Sequence, residues 1–327
     1  MIDNKTAATS RWESAKKERK MFTEYIIETE NLIKQYGTAT VVDNINIHVP
    51  KGKIYALLGR NGAGKTTAMK MMLQLVCPTA GTIRLFGTDY RENISKLYCK
   101  IGSIIETPGF YENLTAYENL QLLVRLRGQR KVDCIHKSLE IVGLQNERTK
   151  PFSDYSLGMK QRLGIAAAIV HEPDLLILDE PINGLDPIGI SEIRSFLSEL
   201  SQIHGTTIFI SSHVLSEIEQ IADIIGVMHE GRLIEEVNIV ELHKRSRRYI
   251  EFTVSDTMAA IKLLENHCQI TDYLVHGNAI QVYDCTHNCG EINKIFVENG
   301  LLVTKVNLCE ENLEDYFSDL IGGGGIA

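Results

Sequence analysis

The run Gly59-Arg60-Asn61-Gly62-Ala63-Gly64-Lys65-Thr66 sets two fixed glycines, a lysine and a threonine at the spacing of a loop that cradles phosphates. Glycines let the backbone curl until successive N–H groups face phosphate oxygens. Lys65 brings a point charge to the β- and γ-phosphates, and the Thr66 hydroxyl can ligate Mg²⁺. Upstream, Lys53–Leu58 reads as an apolar strand. Downstream, Lys65–Val76 reads as a helix whose N-terminus adds partial positive charge. Spacing and context together make a nucleoside triphosphate the expected ligand.

A second group of residues lies roughly 115 positions on, in Leu175-Leu176-Ile177-Leu178-Asp179-Glu180. Four apolar residues make a buried strand, and Asp179 emerges at its carboxyl end, where ligands sit in parallel sheets. Asp179 can hold the Mg²⁺ hydration shell, and Glu180 is the natural general base for an attacking water. A third segment, Tyr155-Ser156-Leu157-Gly158-Met159-Lys160-Gln161-Arg162, opens the apolar helix Leu163–Val170. Ser156 reads either as an ordinary N-cap or as part of a second phosphate-binding helix start.

The elements that must position these residues alternate. Apolar strands are expected at Asp174–Leu178, Thr206–Ile210 and Ile224–Met228, with helices near 115–127, 132–142, 157–171, 188–203 and 214–222. That alternation implies an α/β domain with a mainly parallel sheet covered on both faces. After about residue 245 the order becomes strand, helix, two strands joined across Gly277-Asn278, helix and strand, with a last helix near 311–320. This is the order of a small α+β, ferredoxin-like domain, expected over 245–321, to which no chemical motif attaches. Residues 1–24 form a polar extension in which Arg11 to Lys20 carries five basic and two acidic side chains. The expectation is a disordered tail, the alternatives being a helix on an acidic lipid surface or a start at Met21. Residues 322–327, with Gly322–Gly325, read as a flexible end.

Composition bounds the function. At 327 residues, 44% apolar and 23% charged, the chain can bury one large domain and one small one. A formal charge of −8 disfavours a general nucleic-acid binder. Seven scattered cysteines argue against a disulfide framework and for a reducing compartment. Cys285, His287 and Cys289, with His267 and Cys268, are either loop thiols and imidazoles or a weak metal site. No stretch reaches the roughly 18–20 apolar residues needed to span a bilayer. A soluble chain is expected, whose membrane role comes through a partner.

On these motifs the chain resembles ATP-binding-cassette (ABC) transporter ATPases, P-loop NTPases with a helical subdomain, over residues 25–240. The resemblance implies that ATP and Mg²⁺ bind at Gly59, Arg60, Asn61, Gly62, Ala63, Gly64, Lys65, Thr66 and Thr67, with Tyr36 stacking on adenine. It implies catalysis by Glu180, His213 and Lys65, and Mg²⁺ ligation by Thr66, Asp179 and Glu106. It implies a dimer in which Ser156, Leu157, Gly158 and Met159 of one copy face the ATP of the other, with Asp186 on the connecting loop. It further implies a separate membrane permease and a place on the cytoplasmic face of the membrane. Glu106-Thr107-Pro108-Gly109-Phe110-Tyr111 and Asn183-Gly184-Leu185-Asp186-Pro187-Ile188-Gly189 are similar to bacitracin-resistance and lantibiotic-immunity exporter ATPases. The other reading is an ABC ATPase acting on ribosomes or DNA without a permease. Four positions depart from the general pattern: Glu106 stands for Gln, Leu157 for Gly, Met159 for Gln, and Ile182 for a small polar residue.

Overall fold

The computed structural model describes residues 25–92, 94–106, 109–128, 133–147, 149–245, 248–283 and 288–310. The expected extension 1–24, the last helix near 311–320, the glycine run, Cys285 and His287 lie outside them. The chain divides between Ile239 and Val240 into two compact units.

The first unit opens with β1 (Tyr25–Tyr36), β2 (Ala39–Ile45), β3 (His48–Pro50) and β4 (Ile54–Leu58). There follow α1 (Lys65–Met72), β5 (Ala80–Leu85), β6 (Thr88–Asp89), α2 (Ile94–Tyr98) and β7 (Ile101–Ile104). Helices α3 (Ala116–Leu126), α4 (Asp133–Ile141) and α5 (Leu157–Ile169) come before β8 (Leu175–Leu178). The unit ends with α6 (Pro187–Gln202), β9 (Thr207–Ser212), α7 (Leu215–Ile218), β10 (Ile224–His229) and β11 (Arg232–Asn238).

Six strands form one sheet in the order β11-β10-β4-β9-β8-β7, parallel except where β11 pairs with β10. All residues of β4, β8 and β9 are buried, as expected for parallel strands covered on both faces. A second, antiparallel sheet of β1, β2, β3, β5 and β6, which the strand–helix alternation does not imply, completes the unit. Helix α1 gives Ala68, Met69, Met71 and Met72 to a core shared with Ile27 and Leu32 of β1 and with Leu57, Ile177 and Phe209 of the parallel sheet. Burying such side chains contributes about 1.5–3 kcal/mol each, so this core is what fixes the helix behind the phosphate loop.

Two helices are shorter than their sequence implies. Helix α1 stops at Met72 because Gln74 takes a left-handed conformation, with Leu75 N–H bonded to Lys70 C=O and Gln74 N–H to Met71 C=O. That is a glycine-type helix ending made by a glutamine, and residues 73–76 leave the helix. Helix α7 closes after Ile218, whose carbonyl accepts from both Ile221 and Ala222 before Asp223 turns the chain into β10.

His48 on β3 and Glu236 on β11 tie the two sheets together. The His48 N–H and its Nδ1 each lie 2.9 Å from a different oxygen of Glu236. The hydrogen bond to Glu236 raises the His48 pKa above its ordinary 6.5, against an opposing effect of burial. The stabilisation is therefore complete below pH 6.5 and is lost as the pH rises through the raised value. In His48→Gln the decline in Tm of the wild type between about pH 6 and 8 should flatten, as thermal melts across that range will record.

In the second unit α8 (Ile239–Arg245) straddles the boundary and leads to β12 (Arg248–Val254), α9 (Thr257–His267), β13 (Tyr273–His276) and β14 (Ala279–Val282). Helix α10 (Cys289–Glu298) and β15 (Val303–Glu310) complete it. The four strands pair antiparallel in the order β13-β14-β12-β15, which is the ferredoxin-like arrangement. Ile250, Phe252, Leu264, Ile280, Ile292 and Phe296 make its core.

Candidate functional site

The loop between β4 and α1 is shaped by contacts only glycine permits. A Cβ on Gly59 would stand 2.3 Å from Met228 C=O, and one on Gly64 would stand 2.6 Å from Val41 C=O at a φ of +101°. Gly64 occupies the N-cap of α1 without any side-chain hydrogen bond to the helix. The first-turn N–H groups are thus left for a ligand, and an anion is what they attract. Lys65 opens the helix, is 5% exposed, and donates from Nζ to the carbonyls of Gly59 and Arg60. Its ammonium also lies 3.2 Å from Glu180 Oε1.

Around this lysine the ends of β8 and β9 converge. Thr66 Oγ1 donates to Asp179 Oδ2 at 2.8 Å, and Ser211 Oγ donates to Asp179 Oδ1 at 2.7 Å. Glu180 N–H donates to Ser211 Oγ at 2.8 Å, and His213 Nδ1 lies 2.8 Å from Glu180 Oε2. Glu180 sits at φ +47°, a left-handed backbone that costs a non-glycine residue about 1 kcal/mol or more. Its Oε1 is buried and accepts no hydrogen bond among the described residues; only the Lys65 charge offsets it. The structure thus brings Lys65, Thr66, Asp179, Glu180 and His213 into one connected group, from segments up to about 150 residues apart.

A family model described as ABC transporter matches residues 42–183. The bacitracin transport ATP-binding protein BcrA of Enterococcus faecalis is 72% identical over 307 residues, covering 94% of this chain and 100% of that protein. The chain belongs to the ABC transporter family. Lantibiotic transport ATP-binding protein SrtF of Streptococcus pyogenes is 47% identical over 211 residues, 64% of this chain and 90% of that one. Among solved structures, cbiO1 from Clostridium perfringens, part of an ABC transporter complex, superposes with a TM-score of 0.62 at 28% identity, over 75% of this chain and 97% of that one.

In this ABC cassette no hydrogen bond or ion pair among the described residues joins Ser156, Leu157, Gly158 or Met159 to the group around Lys65. Ser156 caps α5, its Oγ accepting the Met159 N–H at 3.3 Å, and Ser156 and Leu157 are exposed. Gln161 reaches from the same helix to Asn183 C=O at 3.2 Å, so the signature leans on the 183–186 loop. Leu157 is helical, with none of the positive φ that would call for glycine. Asp186 caps α6, accepting the Gly189 N–H at 3.1 Å. Tyr36 is half-exposed at the end of β1, with the Lys34 ammonium 4.7 Å from its ring centre.

Two departures from the family pattern find physical partners. Glu106, at φ +62°, pairs with Lys70 of α1 at 2.6 Å, and among the described residues no hydrogen bond joins it to Thr66 or Asp179. The hydrogen bond to Glu106 raises the Lys70 pKa, with burial opposing and the charges of Glu106, Asp179 and Tyr36 adding. Lys70 therefore offsets the extra negative charge that a glutamate brings to this loop. Ile182 is buried, so an apolar side chain here fills core rather than touching ligand.

Sequence reasoning missed Lys70 and Ser211. Lys70 lies four residues after Thr66, on the same face of α1. Ser211 is one of the two serines that end β9, at the carboxyl end where such sheets bind ligands.

Proposed function

We propose that this chain is the ATP-hydrolysing subunit of an exporter that removes peptide antibiotics of the bacitracin or lantibiotic type. It works as a nucleotide-sandwich dimer on a separate permease, at the cytoplasmic face of the membrane. The observation that carries the cargo is the match along nearly the whole chain to a protein named for bacitracin transport; the ATP site would serve any cargo. Transport in the names of the relatives favours this reading over an ATPase acting on ribosomes or DNA.

The site supports the chemistry as follows. ATP phosphates enter the loop Gly59–Thr67 against the free N–H groups of α1, with adenine on Tyr36. Lys65 then turns its ammonium from Glu180 to the phosphates. That move leaves Glu180 Oε1, which already lacks a hydrogen bond, ready to accept a proton from the attacking water. His213 holds Oε2 and so aims the carboxylate. Thr66 Oγ1 and Asp179 Oδ2 form an all-oxygen pair of the kind Mg²⁺ takes, and Glu106 stands by on Lys70. Bound Mg²⁺ would neutralise charge on the transferring phosphoryl group. Signature residues Ser156, Leu157, Gly158 and Met159, the first two exposed and the others partly so, would complete the site of a second copy, with Asp186 shaping the loop between.

The test is resistance. Expressed with its permease in a bacitracin-sensitive bacterium, the chain should raise the inhibitory concentration of bacitracin several-fold, and Glu180→Gln should abolish the gain. Unchanged sensitivity from a pair that still hydrolyses ATP would remove bacitracin as cargo.

A further inference from the structure

Three consecutive residues at the end of β9 touch three different parts of the site. Ser212 C=O accepts the Gly59 N–H at 3.2 Å, and the His213 ring meets Glu180 Oε2. Ser211, between β9 and both carboxylate-bearing residues, is fully buried. Its one proton goes to Asp179 Oδ1 and a lone pair takes the Glu180 N–H. These two contacts do separate things. The first leaves Asp179 Oδ2 as the oxygen that faces Thr66. The second satisfies the backbone of Glu180 in a left-handed conformation that a glutamate does not otherwise favour.

We propose that Ser211 is a positioning residue for ATP hydrolysis: its hydroxyl sets the rotation of the Asp179 carboxylate and pins the Glu180 backbone, so that both acidic side chains point at the bound phosphates. The proposal rests on the reading of Glu180 as the base. The physical ground is the cost of losing the hydroxyl. Without it a part-buried carboxylate oxygen and a part-buried N–H lose their partner together, and the left-handed turn at Glu180 loses the bond that holds it. A strand residue also cannot swing away, because β9 is paired on both sides, with β4 and with β8. Among the described residues no other hydrogen bond engages the Glu180 N–H.

The experiment compares Ser211→Ala, Ser211→Val and Ser211→Thr in the full chain. Valine and threonine have the same shape, so they differ only in the hydroxyl. Ser211→Ala and Ser211→Val should lower kcat by about tenfold or more, with KM for ATP changed less than about threefold. Affinity for a fluorescent ATP analogue in EDTA should stay at the wild-type level in all three, since the loop N–H groups and Lys65 are untouched. Ser211→Thr should keep most of the rate. Equal rates for Ser211→Val and Ser211→Thr, whether both high or both low, would overturn the proposal, as would a loss of metal-free ATP affinity matching the loss of kcat. If Ser211→Val does not fold, the smaller Ser211→Ala against Ser211→Thr decides the matter. Failure of the Glu180 reading itself would show separately, as hydrolysis surviving in Glu180→Gln.

Discussion

Glu180→Gln is expected to lower ATP hydrolysis by about 10²–10⁴-fold while ATP still binds and now holds two copies together. Glutamine keeps the size and the planar head of glutamate, so the contact with His213 at 2.8 Å retains a partner. It cannot take a proton from water, and that is the step removed. The charge balance shifts as well. The Lys65 ammonium is held partly by Glu180 Oε1 at 3.2 Å, and ATP must draw it away. With a neutral amide there, the phosphates meet less competition for Lys65. ATP affinity should therefore equal or exceed that of the wild type. Phosphate release measures the rate, and gel filtration with ATP measures the dimer. A hydrolysis rate equal to wild type would take the role of base away from Glu180.

The same contact explains how far the sequence could be read. Gly59–Thr66, β4 and β8 were legible because each is a contiguous string whose local pattern already determines its structure: a glycine loop, or a short apolar run. The ion pair from Lys65 to Glu180 spans 115 residues and follows from the order of strands in the sheet, which no local pattern encodes. Ser211 was lost to a boundary. The sequence reading ends the strand at Ile210, because serines resemble loop residues. The register instead continues, with Leu57 opposite Ser211 and Leu58 opposite Ser212, and that extension delivers the hydroxyl to Asp179.

The antiparallel sheet escaped for a related reason. Strand β1 runs twelve residues with an irregular burial pattern, a left-handed Asn31 and register shifts against each of its partners. Period-two alternation is broken there, so the strand does not announce itself. The end of α1 at Gln74 was equally silent, since a glutamine rather than a glycine takes the left-handed position. In each case tertiary contacts hold a residue where its own preference would not send it. The family resemblance filled part of this gap. It named His213 and Glu106 as expected site residues, yet it could not say that Glu106 pairs with Lys70.

Mixing two inactive variants should restore activity, and this tests whether the site is shared between copies. Lys65→Ala removes the cation of the phosphate loop, and Gly158→Glu places a carboxylate in the exposed signature, where a Cβ already meets only Leu185 at 3.5 Å. Each variant alone should be close to inactive. In a mixed dimer, one site combines both defects and the other combines the intact phosphate loop of one chain with the intact signature of its partner. Random pairing at equal amounts makes half of the dimers mixed, each with one sound site of two, so about a quarter of the wild-type rate returns. Were the signature to serve the loop of its own chain, every site would carry one defect and no rate would return. The geometry favours the first outcome. The signature helix is bonded to the 183–186 loop, while Lys65, Thr66, Asp179, Glu180 and His213 close on one another without it. A steady-state rate measured across mixing ratios, peaking at equal amounts, would fix the shared site; a flat line at the level of the single variants would show each chain to be self-sufficient.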